Sequence, residues 1–271
     1  VSVLSIVHLP SSAAEAADLL RDGGWVVGGG TVVMPRVNTT AVPVDQLVCL
    51  RRAGLSGIDV DGRSVSVGAT TTLAALGADS RLPFLGPVVR SIASPPVRNL
   101  ATVGGNLLVD QPHGDLAVAL LALDARVDVV HAGGTRAVGI DELRAGPAEI
   151  VSTVHFGQPA MGTWFYRKAM RRRFNSAAIV TVAAVIAVED GLVRHARIAL
   201  GGVAARPLRA RAAEATLLGA PFDRPTVEAA ADAAREGIEP IEDAHASAWY
   251  RRRVLPVHVR RTLLGEDQGG V

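Results

Sequence analysis

Val26-Val27-Gly28-Gly29-Gly30-Thr31-Val32-Val33 and, further along, Ala101-Thr102-Val103-Gly104-Gly105-Asn106 are the two stretches on which the fold turns. Glycine carries no Cβ, so a ligand can come close to the backbone, and successive amides in such turns can point into one concavity and bind pyrophosphate oxygens. Thr31, Thr102 and Asn106 add side-chain hydrogen-bonding groups. Either loop alone is as readily a tight turn as a ligand site. Two are better evidence, because a dinucleotide needs one concave phosphate site and a second wall. A Rossmann fingerprint fits poorly: the first loop lacks the third glycine at the required offset, and no Asp or Glu ends the next strand.

Outward from these loops, helical spacing over Ser11–Arg21, with Ser11 or Ser12 as cap, precedes a short strand at Trp25-Val26-Val27. Alternation marks a strand over Ser64–Ala69, and the Thr70-Thr71-Thr72 run caps the helical turn after it. Phe84–Ile92 and Asp115–Leu123 have helical spacing, the second with Asp115 as N-cap, and Arg98–Asn106 reads as a glycine-containing turn. Val127–Val130 and Thr135–Val138 form a hairpin; Trp164–Tyr166, Ala177–Val188 and Leu192–Leu200 are strands, the last two joined by Asp190-Gly191. Helices follow at Ala210–Leu218, at Val227–Arg235 with Thr226 as cap, and at Ala244–Leu264, where Pro256 removes a backbone donor.

Composition narrows the function classes. The 28 Lys and Arg nearly cancel the 26 Asp and Glu, so no general electrostatic case for a nucleic-acid partner exists. The basic runs are local: Arg167, Lys168, Arg171, Arg172 and Arg173 in one, Arg251, Arg252, Arg253, Arg260 and Arg261 in the other. A solvated face or a subunit contact is the plain interpretation of each, and an anionic ligand contact the sharper one. Cys49 is the sole cysteine. It forms no intrachain disulfide, suits a reducing compartment, and cannot supply the set of thiolates an iron-sulfur cluster needs. In its apolar run it is a small core filler. The histidines have no paired metal-ligand spacing, so no metal is expected. No apolar run approaches the roughly 18 residues of a membrane span, and a secretion signal is lacking, which makes the cytoplasm the expected location.

With these residues in view, the sequence resembles the FAD-binding medium subunit of the molybdenum hydroxylases, the group that includes carbon monoxide dehydrogenase and xanthine dehydrogenase. In that family an AGG-type loop and a T-[IV]-GGN loop hold the FAD pyrophosphate, and Gly28-Gly29-Gly30-Thr31 and Thr102-Val103-Gly104-Gly105-Asn106 match them. The likeness continues through Ser91-Ile92-Ala93-Ser94-Pro95-Pro96-Val97-Arg98-Asn99, Leu123-Asp124-Ala125, Phe165-Tyr166-Arg167-Lys168, Ala199-Leu200-Gly201-Gly202-Val203-Ala204, Arg209, Glu214 and Trp249-Tyr250-Arg251.

The resemblance implies an α+β chain: two N-terminal α/β FAD-binding subdomains of the vanillyl-alcohol-oxidase type, at 1–57 and 58–160, and a C-terminal α+β subdomain of antiparallel strands and helices at 161–271. It implies cofactor contacts from Val27, Gly28, Gly29, Gly30, Thr31, Val32, Thr102, Gly104, Gly105 and Asn106, with Ile150, Asp115 on the ribose or adenine side, and Lys168 lining the same cleft. Departures are Val27 where the family usually has Ala, and Asn175, in Phe174-Asn175-Ser176, where an acidic residue is frequent. The implied partners are an iron-sulfur small subunit and a molybdopterin large subunit, as a dimer of heterotrimers, with NAD+ or another electron acceptor. The alternative is a free-standing FAD-dependent oxidase or reductase of a small molecule.

Overall fold

A computed structural model describes residues 6–39, 44–172 and 175–266. Arg173 of the first basic run and Phe174 therefore lie outside the described residues. The chain divides into two compact units: the first takes residues up to Val89, Ser94–Val109 and Ala125–Gly157, and the second takes Arg90–Ala93, Asp110–Asp124 and the chain from Gln158 on.

The first unit opens with a parallel sheet of β1 (Ile6–His8), β2 (Trp25–Val27) and β3 (Gln46–Cys49), in the order β1-β3-β2. Helix α1 (Ala13–Leu19) is capped by Ser12, whose Oγ accepts from the Glu15 amide, while Glu15 in turn accepts from the Ser11 amide. This reciprocal arrangement satisfies donors that the helix itself leaves open. Helix α2 (Val33–Thr39) follows the first glycine loop. Val33 and Val37 of α2 pack with Val27, Val44 and Leu47, and Cys49 fills the edge of that cluster.

A second sheet in the same unit is antiparallel, with order β4-β5-β8-β6-β7 for β4 (Ile58–Asp61), β5 (Ser64–Gly68), β6 (Arg126–His131), β7 (Gly134–Gly139) and β8 (Ile150–Gly157). Ala13, Ala16 and Ala17 of α1 share one core with Val48 of β3 and Ile150 of β8. Residues 1–57 hold the parallel sheet and residues 58–160 the antiparallel one, and the two sheets share that core.

Between β5 and β6 in sequence lie α3 (Leu73–Ala78), α4 (Gly86–Arg90), α5 (Pro95–Arg98), α6 (Val103–Leu108) and α7 (Asp115–Ala122). Thr72 caps α3 as expected, its side chain accepting from the Ala75 amide. The expected turn over Arg98–Asn106 is instead the end of α5 followed by the start of α6, because Thr102 caps α6 and holds Gly104 and Gly105 in its first turn. Gly114 occupies the cap position of α7, so Asp115 is its first residue rather than its cap.

The second unit is built on an antiparallel sheet, β12-β11-β10-β9, from β9 (Trp164–Met170), β10 (Ala178–Glu189), β11 (Leu192–Gly201) and β12 (Leu208–Arg209). Asp190 and Gly191 both have positive φ, +52° and +76°, as a two-residue hairpin turn matched to strand twist requires. Side chains alternate across the sheet. Val180, Val182, Ala184, Ile198 and Leu200 face the core they share with α8 (Arg211–Leu217), α9 (Arg224–Ala233) and α10 (Ala248–Leu263). Thr181 faces the other way, toward α7, whose eight residues are all buried. Asp223, not Thr226, caps α9: its carboxylate accepts from the Thr226 amide. Helix α10 runs through Pro256 without ending.

Three family-like residues in this unit brace the fold. Arg209 and Glu214 form a buried ion pair, and Glu214 also accepts from the Ile198 amide, tying β12, α8 and β11 together. Arg251 is fully buried; it donates to the carbonyls of Ala178, Ile179 and Gly202 and, through Nη2, to both carboxylate oxygens of Asp243. A guanidinium is suited to this position because its planar fork serves several acceptors at once.

Candidate functional site

The two glycine loops, far apart in sequence, lie against one another in the first unit. A Cβ built on Gly29 would stand 1.7 Å from the Leu100 carbonyl oxygen, and one on Gly28 would stand 2.6 Å from Thr102 Oγ1. Gly30 has a φ of +74°, which turns the chain from β2 into α2 and which side chains disfavour. The amides of Gly29, Gly30, Thr31 and Val32 have no hydrogen-bond partner among the described residues. They are donors at a helix start with no acceptor, the arrangement that receives a pyrophosphate.

The second loop is different. Its amides serve the fold: Val103 donates to the Thr71 carbonyl at 2.9 Å, Gly104 to that of Ala69 at 2.8 Å, Gly105 to Thr102 Oγ1 at 3.3 Å and Asn106 to the Thr102 carbonyl at 3.0 Å. The open amides therefore belong to the first loop. The second loop is the wall beside it. Gly104 is buried, with its Cβ position 2.9 Å from Ala69 Cβ, whereas Gly105 is exposed and would meet only Thr102 Oγ1, at 3.1 Å. Gly105 does not have positive φ, so a side chain there intrudes on whatever approaches the loop and barely on the fold.

Gly105→Val is accordingly expected to lower bound flavin per chain about tenfold while circular dichroism stays at the wild-type value, because the side chain occupies ligand space outside the core. Full flavin occupancy in the variant would reduce the loop to a structural turn.

The remaining positions are placed as follows. Val27 ends β2 and is buried; Thr102 and Asn106 are buried beside the loop. Ile150 is 1% exposed, with its side chain in the core against α1. Asp115 and Lys168 meet inside the second unit, 2.8 Å apart, with side chains 2% and 3% exposed. Asp115 Oδ1 accepts from Thr181 Oγ1 at 2.6 Å, and Lys168 Nζ also donates to the Ser91 carbonyl at 2.9 Å. Burial pushes the Asp115 carboxyl up from its ordinary value, while Lys168 and Thr181 pull it back. Tyr166 hydrogen-bonds Ser91 Oγ at 2.8 Å, and burial beside Asp115 raises its phenol well above the usual range.

Leu100, Ala69, Thr71, Ser91 and Thr181 all belong to these arrangements and carried no functional signal in the sequence. Among them, Ser91 alone lay within a stretch quoted for the family likeness. A backbone carbonyl that receives a glycine or an amide from another loop can be any residue type.

A parallel α/β sheet and an antiparallel sheet joined through one core, a glycine loop with open amides beside a second glycine loop, and an α+β second unit define an FAD-binding oxidoreductase subunit of the vanillyl-alcohol-oxidase type. Residues 3–156 match the FAD binding domain in molybdopterin dehydrogenase, and residues 164–265 match the CO dehydrogenase flavoprotein C-terminal domain. The chain is 31% identical over 268 residues to the 6-hydroxypseudooxynicotine dehydrogenase complex subunit alpha of Paenarthrobacter nicotinovorans, covering 93% of this chain and 90% of that one. It is 31% identical over 272 residues to the carbon monoxide dehydrogenase medium chain of Hydrogenophaga pseudoflava, covering 94% of each. A chain in the solved carbon monoxide dehydrogenase of that organism superimposes with a TM-score of 0.90 at 32% identity over 97% of both. The protein belongs to the family of FAD-binding medium subunits of molybdenum hydroxylases, the family of carbon monoxide and xanthine dehydrogenases.

Proposed function

We propose that this subunit takes electrons from a partner iron-sulfur chain and passes them through FAD to NAD+ or another acceptor, while substrate is transformed on a molybdopterin-bearing chain, in a reducing, cytoplasmic setting. The observation that carries the proposal is the combination of an end-to-end match to a carbon monoxide dehydrogenase medium chain with a single cysteine. One thiolate cannot hold an iron-sulfur cluster, so a relay has to draw its cluster from another polypeptide. FAD supplies the electron exchange that no side chain offers. The open amides of Gly29–Val32 would hold its pyrophosphate, with Gly28, Thr102 and Gly105 shaping the approach. The FAD contacts proposed for Asp115, Lys168 and Ile150 rest on family likeness.

The two relatives are named for different substrates, carbon monoxide and 6-hydroxypseudooxynicotine, which agrees with a flavin subunit that leaves substrate choice to its partners. Purification of the native assembly should recover a cysteine-rich chain and a molybdenum-containing chain alongside this one. In anaerobic stopped-flow, NADH should bleach the flavin band of the subunit alone, while carbon monoxide or the native substrate should bleach it only after both partners are added. Stoichiometric bleaching by an organic substrate with this chain alone would replace the relay with a free-standing oxidase.

A further inference from the structure

The two basic runs come together in the second unit. Arg167, Arg171 and Arg172, on β9 and just beyond it, line a pocket of about 560 Å³ whose other wall is α10. Tyr250, Val254, Val257, His258 and Arg261 form that wall, and their spacing puts them on one face of the helix. Among the described residues, no Asp or Glu lines the pocket.

Among the described residues, Arg167, Arg171 and Arg172 make no ion pair with an acid. Arg167 and Arg171 donate to the backbone carbonyls of Glu266 and Ala244, and Arg172 has no hydrogen-bond partner among the described residues. The Glu266 carboxylate is held by Arg224 at 2.6 Å and Arg260 at 3.3 Å. His258 Nδ1 is buried without a hydrogen-bond partner among the described residues. Burial together with the charges of Arg167 and Arg261 depresses the imidazole to about 4, so at neutral pH it is an uncharged hydrogen-bonding group in a positive field.

We infer that this pocket binds a small molecule carrying a diphosphate group and an aromatic ring, of the nucleoside diphosphate class. The volume is that of a small-molecule site. Guanidinium groups take phosphate oxygens bidentately, which a diphosphate can satisfy at several arginines at once. Tyr250, 42% exposed at the rim, offers a face for the ring. The inference does not depend on the flavin loops, since every lining residue belongs to the second unit.

Isothermal titration of the full-length chain, already saturated with FAD, tests it with four probes: inorganic pyrophosphate, ADP, adenosine and an oligoglutamate peptide. Pyrophosphate and ADP should each bind once per chain, with ADP tighter than adenosine by about tenfold or more. Arg171→Gln together with Arg172→Gln should weaken ADP and pyrophosphate by about tenfold, with unchanged circular dichroism because both side chains are exposed. Tyr250→Ala should weaken ADP and leave pyrophosphate unchanged. Absence of binding by pyrophosphate and ADP, or binding indifferent to the arginine substitutions, would overturn the inference. So would saturable binding of oligoglutamate without ADP, which would mark an acidic protein partner instead.

Discussion

Gly29→Ala is expected to strip the flavin and destabilise the first unit together. A Cβ at this position would stand 1.7 Å from the Leu100 carbonyl oxygen and 2.5 Å from its carbon, far inside van der Waals contact. Backbone cannot rotate out of the way as a side chain can, so the two loops must separate. Overpacking of this kind costs about 1–3 kcal/mol and more where the neighbour is rigid. The parting also displaces the open amides of Gly29–Val32 from the wall formed by Thr102 and Gly105. Flavin absorbance per chain should fall by about tenfold or more, and thermal unfolding should begin several degrees lower. The pairing with Gly105→Val is informative, because that variant should lose flavin with its fold intact. Wild-type occupancy and stability in Gly29→Ala would show that the loops do not pack as described.

Lys168→Met should be the most destabilising substitution in the second unit. It leaves the Asp115 carboxylate 2% exposed, with Thr181 as its remaining hydrogen-bond donor. Removing one partner of a buried pair costs about 3–5 kcal/mol, chiefly because the other charge stays buried. Burial already raises the Asp115 carboxyl, and loss of the ammonium raises it further. The folded variant then holds a proton that the unfolded chain releases near its ordinary carboxylate value, so the loss should be largest at neutral pH and shrink as pH falls toward that value. Urea unfolding across pH measures this. Adding Asp115→Leu should recover much of the stability, since an apolar replacement of the whole pair removes the desolvation penalty. A single-variant loss below about 1 kcal/mol would mean that water reaches the pair.

The family was legible in the sequence because its loops are defined by residue type. Gly28-Gly29-Gly30 and Thr102-Val103-Gly104-Gly105-Asn106 are short and tolerate few substitutes, and the structure brings them into contact. The two loops proved unequal, however. Whether an amide is open or already bonded depends on which carbonyls lie opposite, and Thr71 and Ala69, which close the second loop, are set by the path of the chain rather than by their own chemistry.

Local backbone preference let the sequence by itself determine the Asp190-Gly191 hairpin, the cap at Thr72 and most strands, while the choice of Ser12 over Ser11 as the first cap came from the structure. The fate of the charged residues was decided only by tertiary structure. Arg251 and Arg252 are equivalent in sequence, yet Arg251 is fully buried among three carbonyls and Asp243 while Arg252 is exposed. Arg167 and Lys168 are neighbours on β9 and therefore point to opposite faces of the sheet. That alternation is readable from the chain. Which face meets α10 and its cationic pocket, and which meets Asp115 on α7, is fixed by the register of Lys168 opposite Thr181, because long-range strand pairing, not residue type, assigns each side chain its surroundings.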